Sequence, residues 1–129
     1  MQKSSVLNIH FDVLRDCPVV RLSGTLDAST AIGFRHDVQD LFMSGYRSLL
    51  MDFSELGFMD SSGIGAILTI YRTLRDHGGK ELWIAGSNPN IRSLLEVTQL
   101  DKQLRCFDSV PKALDAWKTF QAEKTAQIA

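Results

Sequence analysis

Cysteine is scarce in this sequence, with two among 129 residues. Cys17 and Cys106 lie far apart and form no C-x-x-C, so a disulfide framework is neither available nor needed, and both read as reduced thiols of a cytoplasmic protein. Long apolar runs are missing as well, which excludes direct insertion into a membrane. Asn8, His10 and Asp12 interrupt the apolar residues of the N-terminal stretch, and no secretory segment is expected there. An excess of one charge is also absent: 14 Lys+Arg against 15 Asp+Glu leave a net charge of −1. No positive field exists to hold a phosphate backbone, and nucleic acid is excluded as an expected partner. The three histidines, His10, His36 and His77, show no metal-ligand spacing, so neither metal nor cofactor is expected.

What is present is 44% hydrophobic and 22% charged content, enough for one domain with its own core. Periodicity switches repeatedly between strand and helix patterns. Leu7, Ile9 and Phe11 alternate with polar neighbours, and Val19 to Leu22 follows the turn chemistry of Asp16-Cys17-Pro18, which predicts a hairpin. Phe34, Val38, Leu41 and Phe42 recur at helical spacing, with Asp27 or Ser29 as N-cap and Gly45 as stop. Ser48 to Phe53 reads as a central strand, and a helix is expected over about Ser62 to His77, ended by Gly78-Gly79. Glu81 to Ala85 is a further strand, Asn88-Pro89 opens a further helix, and Leu104 to Phe107 is a short strand. Ser109 opens a last helix carrying Val110, Ala113, Leu114, Trp117 and Phe120, beyond which a polar tail over 119–129 is expected to be flexible. Met43 and Trp83 are left open between surface and core. The order ββαβαβαβα places the chain in the α/β class, as a mixed, mainly parallel sheet with about four helices.

In such sheets function gathers beyond the carboxyl ends of the strands. Two strand-to-helix turns stand out there, Gly24-Thr25-Leu26-Asp27 and Met59-Asp60-Ser61-Ser62-Gly63-Ile64-Gly65. Capping alone would explain Asp60 or Ser61, at about 1 kcal/mol. It would not explain Gly63 and Gly65, each of which costs a helix about 1 kcal/mol relative to Ala, unless another chain or a second strand comes close. Catalysis is not expected. Neither serine has the leading glycine of a G-x-S-x-G elbow, no histidine is placed as base, and the phosphate-cradle patterns are incomplete. An exposed serine at a helix start can accept a phosphoryl group, which adds about −1.5 to −2 charges. Free N–H groups and the helix dipole would tolerate it, while Asp27, Asp60 and Glu55 already make that face acidic. The added charge would then act outward, as an electrostatic off-switch.

These segments, together with Asp52-Phe53-Ser54, resemble the STAS domain of bacterial anti-sigma factor antagonists over about residues 6–118, within one STAS-like domain spanning 1–129. The resemblance implies that Ser62 is phosphorylated by an anti-sigma factor that is itself an ATP-dependent serine kinase. It further implies that a metal-dependent serine phosphatase restores binding, and that capture of the anti-sigma factor frees a sigma factor for RNA polymerase. Carried over by residue, Asp60 and Ser61 contact the phosphoacceptor, Asp27 on the neighbouring turn either faces the partner or supports the acceptor, and Gly63 and Gly65 allow close approach. An exposed flank of the helix with Ala66, Thr69 and Thr73 is expected to complete the docking surface. The alternative is a scaffold: a non-switching STAS module in a larger regulatory or transport-associated complex, with Ser62 merely capping its helix. Ser62→Asp separates the two.

Overall fold

The computed structural model describes residues 5–79 and 81–128, with side chains through 123. Strand β1 (Leu7–Leu14) and strand β2 (Cys17–Leu26) form the expected hairpin. The turn, however, is Arg15-Asp16, with φ of 49° and 65°, and Leu14 pairs with Cys17. Two consecutive residues with positive φ match the right-handed twist of the strands, and this leaves Cys17 and Pro18 inside β2. Pro18 is tolerated because the parallel ladder to the next strand begins only at Val19.

Helix α1 (Ala31–Met43) and helix α2 (Ser61–Asp76) flank strand β3 (Ser48–Met59), which runs past the expected Phe53. Its second half is held by β2, whose register shifts twice and then ends on Leu26 opposite Met59. Strand β4 (Glu81–Ala85), helix α3 (Pro89–Val97), the single-turn helix α4 (Leu100–Gln103), strand β5 (Arg105–Phe107) and helix α5 (Val110–Ile128) complete the chain. The strands lie in the order β1-β2-β3-β4-β5. The β1–β2 pair is antiparallel and the others are parallel, as the alternation of strands and helices requires. Helix α4 is the element the sequence reading lacks.

The sheet separates two cores. Phe34 and Val38 of α1, Ile64, Ile67, Ile70 and Leu74 of α2, and Ile91 and Leu95 of α3 cover one face. Ala113, Leu114 and Trp117 of α5 cover Cys17, Val19, Leu50 and Trp83 on the other. Trp83 is fully buried, whereas Met43 is 85% exposed, which settles the two open residues in opposite directions. Trp83 stacks edge-on against Trp117 at 5.1 Å, and Arg105 lies 4.5 Å over its ring. Its indole N–H donates to Glu81 Oε2 at 3.0 Å, so the large ring is buried without an orphaned donor. Both cysteines are free, Cys17 buried and Cys106 exposed. Among the described residues no helix is long and apolar enough to cross a membrane.

Candidate functional site

The ends of β2 and β3 bring the two turns together. Leu26 and Met59 are the last paired residues of the ladder, and the next amide, Asp60 N–H, donates to Leu26 O at 3.2 Å. Asp27 and Asp60 therefore start their separate excursions from neighbouring points on one edge.

Asp60 is the N-cap of α2, with an extended backbone. Its Oδ1 accepts from Ser62 N–H at 2.8 Å and from Gly63 N–H at 3.4 Å. The amides that sequence alone left free for a phosphate are thus already taken, by a carboxylate. Ser61 is exposed and Ser62 half-buried. No side-chain hydrogen bond engages either hydroxyl among the described residues. The cap is Asp60, and the serines are spare.

Asp27 is not the N-cap of α1. That place falls to Thr30, which makes no side-chain cap bond, and the helix starts one residue later than Ser29 would have it. Asp27 instead ties its turn: Oδ1 accepts from Ser29 N–H at 2.9 Å and Ser29 Oγ at 2.7 Å, while Oδ2 accepts from Ser5 Oγ at 2.5 Å. These donors, the Ser5 and Ser29 hydroxyls first, hold the Asp27 carboxyl below its ordinary value. The Asp27 carbonyl receives Thr30 and Ala31 N–H, so the residue builds the corner from which α1 leaves.

The two glycines part company. A Cβ on Gly63 would lie 2.5 Å from Met59 Cγ and 3.0 Å from Leu26 Cγ, so this glycine serves the domain's own helix-on-sheet packing. A Cβ on Gly65 would meet nothing within 4 Å. Gly65 is exposed and leaves open a shallow groove between α1 and α2, lined by Ala28, Ala31, Ile32 and Arg35 on one side and Ser62, Gly65, Ala66 and Thr69 on the other.

Ala66 is a correction. It is 7% exposed and forms the groove's floor beneath α1, not an open flank. Thr69 is in the groove, half-buried, its hydroxyl donating back to Gly65 O at 3.0 Å. Thr73 belongs elsewhere, to a second depression with Gln39, Phe42, Met43, Arg47 and His77 at the far end of the same helix pair. Glu55 pairs with Ser23 in mid-strand, away from the start of α2. Ile32, 61% exposed, and Arg35 were missed by the sequence reading. Their signal was the three-residue spacing of Ile32 and Arg35 on one face of α1, which by itself resembles ordinary surface.

Among the described residues no group of three or more His, Cys, Asp or Glu is arranged to hold a metal ion. His77 sits at the opposite end of α2 from the serines, its Nδ1 2.9 Å from Thr73 O.

The family model of the STAS domain matches residues 8–113. The chain belongs to the STAS-domain family of anti-sigma factor antagonists. It is 32% identical over 109 residues to the anti-sigma F factor antagonist of Paenibacillus polymyxa, an alignment spanning 84% of this chain and 92% of that protein. Its fold resembles that of an anti-sigma factor antagonist from Mycobacterium paratuberculosis, with a TM-score of 0.77, 22% identity, and 86% and 93% of the two chains covered. It also resembles the Bacillus cell-fate determinant SpoIIAA in the phosphorylated form, with a TM-score of 0.64, 25% identity, and 84% and 98% covered. In this STAS domain the loop that opens α2 and the groove beside it are the candidate site.

Proposed function

We propose that this STAS domain is an anti-sigma factor antagonist that binds an anti-sigma serine kinase while Ser62 is unphosphorylated and lets it go once Ser62 carries a phosphoryl group. The observation that carries this reading is the division of labour at the start of α2. Asp60 does the capping, and the Ser62 hydroxyl is left without a hydrogen bond among the described residues, at the mouth of the α1–α2 groove. A serine present only as a cap would have its oxygen on those amides; here it does not, which weighs against the scaffold alternative.

The docking surface is the groove, lined by Ser62, Gly65, Ala66 and Thr69 of α2, Ile32 and Arg35 of α1 and Ala28 of the turn before it, with Asp27, Asp60 and Ser61 on the adjoining loops. The apolar side chain of Ile32 and the open space over Gly65 supply an insertion site for a partner side chain. The phosphoryl group arrives on Ser62 from the kinase's ATP and leaves through a serine phosphatase. Its charge would be placed beside the Asp60 carboxylate and desolvated under the partner, which opposes binding. The chain itself turns nothing over. Its place is cytoplasmic, with sigma-dependent transcription as the output.

The test is a paired capture from host lysate with Ser62→Ala and Ser62→Asp as baits. A kinase held by the first and lost from the second supports the switch. Identical, kinase-free sets on both baits would sink it and leave an assembly module.

A further inference from the structure

The groove beside Ser62 is lined by one cation that forms no ion pair among the described residues. Arg35 lines the α1 wall, opposite Ser62, Gly65 and Thr69. Its Nε is shut off from solvent and makes no hydrogen bond. The ion pairs among the described residues use Arg15, Arg21, Arg92 and Lys112, not Arg35. A guanidinium stays charged at any physiological pH and offers a planar fork suited to phosphate, and with its Nε–H unsatisfied this one stands at the groove with its charge uncompensated.

The usual receptor for a phosphate at a helix start is the first-turn amides. Here Asp60 Oδ1 occupies the Ser62 and Gly63 amides and presents negative charge to any anion that approaches them. That closes one direction for a phosphoryl group on Ser62. The other direction is across the groove, where Gly65 contributes no side chain to block the way.

We infer that Arg35 is the internal receptor of the phosphoryl group on Ser62, joined to it across the α1–α2 groove by charge-assisted hydrogen bonds. The inference rests on the phospho-switch reading and adds how the switch is thrown. A phosphate held by Arg35 fills the groove with the domain's own atoms. It also withdraws from an incoming partner the guanidinium that would otherwise pair with a partner carboxylate. Arg35 is thus a positioning residue for the phosphorylated state and an anchor in the unphosphorylated one.

The pairing is tested on the full chain with phosphoserine installed at position 62 during translation, as the otherwise native protein, Arg35→Gln and Arg35→Lys. The readout is the second ionisation of the phosphate, followed by phosphorus NMR against pH, with amide spectra recorded to confirm that each variant is folded. A neighbouring cation favours the dianion, so the native protein should titrate about 0.5–1 unit below Arg35→Gln, with Arg35→Lys between them. Superimposed titrations of the native protein and Arg35→Gln would overturn the inference. Partner capture by the same proteins, with and without the phosphoryl group, is scored separately. If phosphorylation fails to release the kinase, the switch reading falls, while the ionisation difference still decides the pairing.

Discussion

A methyl group added at each of the two glycines of α2 should have opposite effects, because one glycine is buried against the sheet and the other borders empty space. At Gly63 the new Cβ would lie 2.5 Å from Met59 Cγ and 3.0 Å from both Met59 Sδ and Leu26 Cγ. Those two side chains are 6% and 0% exposed and belong to the paired ends of β3 and β2, so the strain falls on the sheet. Overpacking of this kind costs about 1–3 kcal/mol, against which better helix propensity returns about 1 kcal/mol, for a net loss of up to about 2 kcal/mol. At Gly65 nothing lies within 4 Å of the new Cβ. There the propensity gain stands alone, at about 0.5–1 kcal/mol or about 2–4 °C in Tm for a domain of this size. Urea and thermal unfolding of Gly63→Ala and Gly65→Ala, measured side by side, should therefore bracket the native protein. The Gly65 methyl also stands in the groove, so that variant should be more stable and yet bind its partner less well. If both variants shift stability in the same direction, the packing argument for the two glycines is wrong.

Asp60→Ala removes the acceptor for two first-turn amides and should lower stability by about 1–2 kcal/mol, read from denaturant unfolding; Asp60→Asn should recover most of it. Asp27 titrates below an ordinary aspartate because of Ser5 and Ser29, so its contribution to stability is present above the unfolded-state value and is lost as pH falls through the lower folded-state one. Ser5→Ala and Ser29→Ala should each raise it, visible in an NMR titration of the carboxyl carbon, and no change would show that the turn is not held as described. Burial pushes the Cys17 thiol up to about 12; Cys106 is exposed at the surface, but desolvation by the groups around it, followed by the Asp101 charge, pushes it up to about 11. Because the thiolate is the reactive form and must be reached, alkylation of Cys17 at pH 8 should be far slower than in the unfolded chain, with exposed Cys106 reacting well before it. Trp83→Ala should cost about 3–5 kcal/mol in unfolding experiments, by emptying the core beneath α5.

The elements that the residues announced most clearly were those whose signals are local. Alternation in Leu7 to Phe11 marks β1, and Asn88 caps α3 as its position before Pro89 implies, its Oδ1 accepting from Ile91 N–H at 2.9 Å. The far half of β3 was hidden because Ser54, Glu55, Gly57 and Phe58 are exposed and lack a strand's alternation; only pairing with β2, distant in sequence, makes them extended. The hairpin turn was displaced because Arg15 and Asp16 adopt positive φ without glycine, while Cys17-Pro18 looks more turn-like. Helix α4 follows Gln99, also at positive φ, and is a single turn that no periodicity can reveal. At the site, the Asp60-Ser61-Ser62 stretch was legible from helix-start chemistry, though which side chain caps was not. Arg35 was invisible as a functional candidate. A lone arginine on a helix normally lies in water, and only the folded structure shows that its Nε is enclosed.

The junction of Leu26, Met59 and Asp60 bears on how fast a partner can engage. Since the ladder runs to the last residues of both strands and the Asp60 amide is spent on Leu26 O, the loops carrying Asp27 and Ser62 cannot drift apart without unzipping the sheet's end. A partner docking there, as proposed, would meet loops whose backbone the sheet already holds, with little ordering entropy left to lose. A modification at that surface can then alter its chemistry at once, with the backbone standing still.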